Sequence, residues 1–301
     1  MSVEIIGVIS TGKWSGIHPR LPQLVDCNYV ARFAQVHEAA GFDRILVPRH
    51  FTGPDAAHVV AYASTVTEKM HFLMGHQPEF AAPGFGARRL ATLENFTGGR
   101  LAVYIDSGGS DERTSEYLAF VRKTWTSEQP FDHVGLHYSY KMAYSEVRPL
   151  QRPHLPIQSG GVSDLALEVA GQHADSYALG GTLDQARELT RRARAEAARH
   201  GRSLRFSASF RPILADTESK ARARAERMLA GNGGRSNATA VVGTPEQVAH
   251  ALLEYVELGV ETLLIQGFDP IDDAIDYGRE LLPRVRALAK VREFNRQLVA
   301  A

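Results

Sequence analysis

Short apolar runs alternate with helix-like stretches along the whole chain, and this alternation restricts the possible folds more than any other feature. Runs of strand character are Glu4–Ser10, Arg44–Pro48, His71–Gly75, Leu101–Ile105, Leu155–Gln158, Ser176–Leu179, Leu204–Leu214 and Thr262–Gln266, eight in all. Helical patterns lie between them, and one follows the last. The first places Tyr29, Phe33, Val36 and Ala40 on one face and stops at Gly41. Another opens on Thr244-Pro245-Glu246-Gln247, a capping box with proline at the first helical position. Eight alternations with short connections predict an α/β fold, a (β/α)8 TIM barrel forming a single domain over residues 1–301. A doubly wound open sheet is the alternative. Two stretches break the rhythm. Residues 128–150 carry aromatics and turn residues and read as an inserted hairpin or irregular loop. Gly231–Asn237 reads as a loop rich in Gly and Asn.

Composition excludes several classes. The formal net charge is +0, so no field draws in nucleic acid or an anionic membrane. A single cysteine, Cys27, rules out a disulfide within the chain and a cysteine zinc site. Its place near the first helix predicts packing. No apolar run reaches membrane-span length, and Met1-Ser2-Val3-Glu4 lacks a basic region followed by a long apolar stretch. A cytoplasmic location is therefore expected. No histidine pair has the helical spacing of a metal site, and no Gly-x-Ser-x-Gly turn is present, so neither metal nor serine-nucleophile chemistry is expected. The arginines from Arg187 to Arg205 alternate with acids and read as a solvated helix face.

In a barrel, chemistry sits where strands end and loops begin. Those ends carry Trp14, His50, His76, Ser107-Gly108, Ser159-Gly160-Gly161, Ser209, Arg211 and Phe268. Of these, Ser159-Gly160-Gly161-Val162-Ser163 has the composition of a phosphate seat. Paired glycine lets backbone approach a ligand, and the helix that follows presents free N–H groups. Taken alone, a Gly-Gly pair is more often a plain turn. His50 and His76 read either as polar contacts near a reactive centre or as ordinary loop histidines.

The order of motifs resembles the bacterial luciferase-like family of flavin-dependent monooxygenases, and most closely its alkanesulfonate monooxygenase branch. The resemblance rests on Gly41-Phe42-Asp43 with Leu46-Val47-Pro48, on Thr97-Gly98-Gly99-Arg100-Leu101, and on Ser107-Gly108-Gly109-Ser110-Asp111. It continues through Pro153-His154-Leu155-Pro156-Ile157 into Ser159-Gly160-Gly161, then Ala174-Asp175-Ser176-Tyr177. Near the end come Val242-Gly243-Thr244-Pro245-Glu246-Gln247-Val248, Glu254-Tyr255 and Leu258-Gly259-Val260, and the resemblance covers nearly the whole chain. It implies a homodimeric barrel that receives reduced FMN from a separate NAD(P)H-dependent flavin reductase. With O2, such an enzyme oxygenates a small organic, often organosulfur, substrate. Carried over by position, it puts the cofactor at Ser107, Gly108, Ser159, Gly160, Gly161, Val162 and Ser163. Contacts near the reactive centre fall to His50, Arg211 and Ser107, and substrate contacts to Trp14, His76, Ser209 and Phe268. Arg88, Arg100 and Asp111 read as structural. Tyr117 stands near the place of a family tyrosine that reaches the phosphate, although its spacing fits the helix.

Departures from that branch are concentrated around the substrate. Thr11 precedes Gly12 where the branch has histidine, and Gly53 stands in place of a cysteine. Ser209 and Arg211 replace an arginine and a histidine, and Phe268 replaces a tyrosine. The branch's lid insertion shrinks to Gly231–Asn237. The alternatives are a deazaflavin (F420)-dependent oxidoreductase on the same barrel and a catalytically degenerate flavin-binding member.

Overall fold

A computed structural model describes residues 3–12, 24–49, 52–105, 112–230 and 238–300. In chain order the elements begin β1 (Glu4–Val8), α1 (Cys27–Ala39), β2 (Arg44–Val47), α2 (Ala56–Thr65), β3 (His71–His76), α3 (Pro83–Phe96), β4 (Leu101–Ile105) and α4 (Glu112–Thr126). A hairpin follows, β5 (Phe131–Val134) and β6 (Ser139–Ala143). Then come β7 (Ile157–Gly160), α5 (Asp164–His173), β8 (Ser176–Leu179), α6 (Leu183–Arg199), β9 (Arg205–Leu214) and α7 (Glu218–Ala230). The chain closes with β10 (Thr239–Gly243), α8 (Pro245–Glu257), β11 (Val260–Ile265), α9 (Asp272–Asp276) and α10 (Leu282–Ala300).

Eight strands pair in parallel around a closed ring, β1-β2-β3-β4-β7-β8-β9-β11 and back to β1. This is the (β/α)8 barrel that the alternation predicts. Alternate residues on each strand separate two environments. One set, including Ile5, Ile45, Phe72, Val103, Ile157, Tyr177, Phe206 and Leu263, packs outward into a continuous core with the helices. The other set faces the lumen, where Ile6, Leu73 and Ala102 form a separate apolar cluster with Leu46, Tyr104 and Leu264. Lumen residues of β7, β8 and β9 are polar instead: Gln158 donates to Ser207 at 3.0 Å and accepts from Ser176. One side of the barrel interior is thus apolar and the other is hydrogen-bonding.

Four expectations change. A strand absent from the sequence reading, β10, pairs in parallel with the outer half of β9, from Thr239↔Phe210 to Gly243↔Leu214. The seventh barrel strand is long enough to serve β8 and β11 with its first half and β10 with its second. Strand β7 begins and ends later than expected, so Ser159 and Gly160 belong to the strand and the turn starts at Gly161. The buried stripe of α1 is Val30, Phe33, Ala34 and His37, one position round from the predicted face, with Tyr29, Val36 and Ala40 on its flank. Cys27 is exposed, because it opens α1 directly after the Asp26 cap rather than facing the core.

The stretch 128–150 does contain a hairpin, antiparallel β5–β6. It docks on α4: the Phe120 ring meets Phe131, His133 and Tyr140 with centroids 5.5, 5.2 and 4.7 Å away. Arg100 is structural, as expected. Its guanidinium donates to the carbonyls of Ser64, Met70 and Thr97 and so ties the end of α2, the start of β3 and the end of α3 together. Asp111 and Gly231–Asn237 lie outside the described residues. No helix among the described residues is long and apolar enough to cross a membrane.

Candidate active site

At the mouth of the barrel the lumen-facing positions shrink. Gly75, Gly160 and Ala178 stand near the C-terminal ends of β3, β7 and β8, Ser209 stands midway along the longer β9, and the Tyr104 ring lies among them. The glycines are required by close approach. A Cβ on Gly160 would lie 2.9 Å from the Tyr104 hydroxyl and 3.2 Å from Ala178 Cβ. One on Gly75 would lie 2.6 Å from the backbone nitrogen of Arg49.

A cavity opens beside β7 and β8. A groove of about 790 Å³ runs from Tyr104, Ala178 and Ser209 in the lumen, past Gly161 and Val162, to Gly180, Gly181 and Arg192. Two helices begin on it. Ser163 caps α5, its Oγ accepting from Ala166 N at 3.1 Å. Thr182 caps α6 through a reciprocal box with Gln185. Gly161 and Gly181 both take positive φ, 131° and 84°, which lets the chain turn from strand to helix. Tyr177 fixes the first turn by donating its hydroxyl to Gly161 O at 2.7 Å. The fit to a flavin phosphate is testable here. Ser159 is 1% exposed, and its Oγ has no hydrogen-bond partner. Buried hydroxyls are normally satisfied, so an orphan on the strand that leads into the Gly161 turn suits an oxygen acceptor brought by a ligand. The residues present therefore fit a phosphate group.

His76 is placed differently. It ends β3, is buried, and its Nε2 lies 2.7 Å from the Tyr117 hydroxyl. Burial pushes its pKa down to about 4, so the imidazole is neutral near pH 7. Tyr117 itself is enclosed in α4, and Gly86 makes room for it: a Cβ there would lie 1.9 Å from the phenol oxygen. Tyr117 thus holds a histidine rather than standing on the groove beside β7 and β8. Beside His76 is a small polar pocket of about 120 Å³, walled by Arg49, Gln77 and the Asp55–Arg89 ion pair at 2.8 Å.

Arg211, on the outer half of β9, lies with its guanidinium carbon 4.9 Å from the centre of the Phe268 ring. Its Nε is buried without a partner, and burial lowers its pKa, though an arginine stays charged. Phe268 is only 2% exposed and acts here as the platform under Arg211. The loop that carries it is fixed by buried Asp273, which accepts from Phe268 N at 2.6 Å, from Asp269 N at 2.9 Å and from Arg224 at 2.9 Å.

Of the residues predicted from sequence, Gly161, Val162 and Ser209 line one groove. Ser159, Gly160 and Ser163 adjoin them along the chain. Arg211 and Phe268 pair with each other, and His76 belongs to the neighbouring pocket. Trp14, His50, Ser107 and Gly108 lie outside the described residues. Two groove residues, Tyr104 and Arg192, were not singled out from the sequence, nor was Tyr177 as the residue that fixes the Gly161 turn. Arg192 sits in the arginine-rich stretch read as a solvated face, yet it lines the groove and pairs with Asp164. Its neighbours Arg187 and Arg191 form the exposed pairs expected of that stretch. Among the described residues no cluster of three histidine, cysteine or acidic side chains is arranged to hold a metal.

Solved structures share this architecture. A riboflavin lyase, solved with modified FMN and riboflavin, superposes with a TM-score of 0.85 at 18% identity, covering 96% of this chain and 92% of its own. EDTA monooxygenase from Chelativorans sp. BNC1 gives 0.83 at 16%, covering 95% and 94%. A coenzyme F420-dependent tetrahydromethanopterin reductase from Methanopyrus kandleri gives 0.75 at 16%, covering 95% and 100%. At these identities the likeness establishes the fold. Residues 5–236 match the family described as luciferase-like monooxygenase, and since that is well over half of the sequence, the chain belongs to the luciferase-like monooxygenase family.

Proposed function

We propose that the chain is an FMN-dependent monooxygenase that receives reduced flavin from a separate NAD(P)H-dependent reductase and oxygenates a small organic molecule. Organosulfur compounds are the first class to test. The observation that carries this reading is the groove that runs from the lumen past the Gly161 turn to the start of α6; the strand leading into that turn carries the orphaned Ser159 hydroxyl. Reduced flavin, when bound, supplies the electrons and activates oxygen. The chain's own part is binding and positioning. Ser159 to Ser163 hold the phosphate through amides and hydroxyls. The small residues Gly160, Ala178 and Ser209 leave the lumen open to a flat ring beside Tyr104. Arg211, held on Phe268, presents a cation to a polar or anionic group of the substrate. Trp14, His50, Ser107 and Gly108 belong to this reading through their positions in the sequence. So do the homodimer, the cytoplasmic location and the likeness to the alkanesulfonate branch with a shortened lid.

The resemblance to the F420-dependent reductase supports a second reading, hydride transfer with a deazaflavin on the same seat. Anaerobic titration separates the two. Quenching at micromolar FMNH2, followed by substrate-dependent oxygen uptake when a reductase is added, is the expected result. Tight binding of F420 with no affinity for FMN would replace the first reading with the second. Flavin binding without turnover on sulfonates, sulfones or alkanes would leave a binding protein.

A further inference from the structure

We propose that Arg192 is a phosphate ligand of the flavin groove, held in readiness by Asp164 until a phosphate monoester takes the carboxylate's place. This rests on the flavin reading of the groove. Arg192 projects from α6 into the same groove that Gly161, Val162 and Gly181 line. Its Nη2 reaches across to α5 and donates to Asp164 Oδ1. Arg187 and Arg191 on the same helix behave otherwise, each closing on an acid three residues back, at 2.7 and 2.6 Å.

Charge balance gives Arg192 a task. The segment Ser159 to Ser163 contains no cation. A helix N-terminus offers about half a unit charge, whereas a phosphate monoester carries nearly two at neutral pH. A guanidinium supplies the missing charge and two parallel donors. The present partner is easily displaced. The Asp164 side chain is 97% exposed against 34% for Arg192, so the carboxylate gains little from the pair and returns readily to water. Asp164 also opens α5, where its negative charge opposes any anion bound at that N-terminus. Arg192 is close enough to the seat to act on Tyr177, whose hydroxyl holds Gly161 O. Burial raises the pKa of that phenol, and the Arg192 charge works against the rise.

The test compares FMNH2 with reduced riboflavin, which lacks the phosphate, in anaerobic fluorescence titrations of the full chain. Wild type is expected to prefer FMNH2 at least tenfold. Arg192→Met should cut that preference threefold or more while leaving riboflavin affinity unchanged, and riboflavin binding also reports that the variant is folded. Arg192→Lys should restore part of the preference. Asp164→Asn should tighten FMNH2 twofold or more and leave riboflavin alone. An undiminished preference in Arg192→Met, or an equal loss for both flavins, overturns the role of Arg192 and leaves the seat standing. If Arg192→Met does not fold, the Asp164→Asn result decides, and unchanged FMNH2 affinity there overturns the proposal. A wild type that does not distinguish the two flavins, or binds neither, defeats the phosphate seat itself and Arg192 with it.

Discussion

Single atoms decide the shape of the barrel mouth. Gly160 faces the lumen where a methyl group would meet the Tyr104 hydroxyl at 2.9 Å. Gly160→Ala is expected to destabilise by about 1–3 kcal/mol, the usual cost of overpacking. A urea-unfolding cycle with Tyr104→Phe checks the cause. Removing the phenol oxygen should relieve the clash and give a coupling of at least about 0.5 kcal/mol, as expected for residues in contact. Strictly additive losses would mean that the two groups do not meet. At this scale the sequence revealed the glycines of the β7–α5 turn, since strand–Gly-Gly–helix order is a local pattern. Tyr177 and Arg192 stayed hidden because their roles come from the next strand and the next helix. Only closing the β7–β8 pair brings Tyr177 to Gly161, and only packing α5 beside α6 brings Arg192 to Asp164.

Elements were legible where their periodicity is imposed by two-sided burial. The barrel strands are covered by helices on one face and fill the lumen with the other, so they read as short apolar runs. Strand β10 did not, because it pairs along one edge only and keeps its residues partly exposed, which leaves no alternation to detect. The hairpin was legible in its turn residues, but its anchor was not. That anchor is Glu116 on α4, which accepts from His133 Nε2 at 2.9 Å, His137 N at 2.8 Å and Tyr138 N at 2.9 Å. Burial works against its charge, yet these bonds win and hold its pKa below the usual carboxylate range. Gly135 lets the carboxylate lie against the turn, since a Cβ there would be 2.0 Å from Glu116 Oε1. Glu116→Ala strands those donors, each costing about 1–3 kcal/mol where burial persists. Hydrogen exchange should then show faster exchange across Phe131–Ala143 with β1 to β4 unchanged. Wild-type protection in the hairpin would place its anchorage in the Phe120 ring cluster instead.

The molecule as a whole buries histidines as neutral rings. His37 stacks on Phe33 with centroids 3.9 Å apart, in a space that Gly7 leaves free; His76 is held by Tyr117; and Ser115 Oγ lies 2.8 Å from His173 Nε2. Burial pushes all three pKa values from 6.5 down to about 4. The sign follows from which state takes up protons first. Below pH 6.5 the unfolded chain binds protons that the folded chain refuses, so stability is fully present above that pH and falls as pH drops toward 4. Buried Asp273 acts in the opposite sense: burial raises its pKa, so its folded form takes up a proton before the unfolded chain does. Three histidines outweigh one carboxylate. At 1.36 kcal/mol per pH unit, each imidazole kept neutral loses about 2 kcal/mol of stability between pH 7 and pH 5. Urea midpoints should therefore fall over that range, and His37→Phe, which keeps a ring on Phe33, should remove about a third of the fall. A midpoint independent of pH from 7 to 5 would mean that the three rings titrate as freely in the barrel as in the unfolded chain.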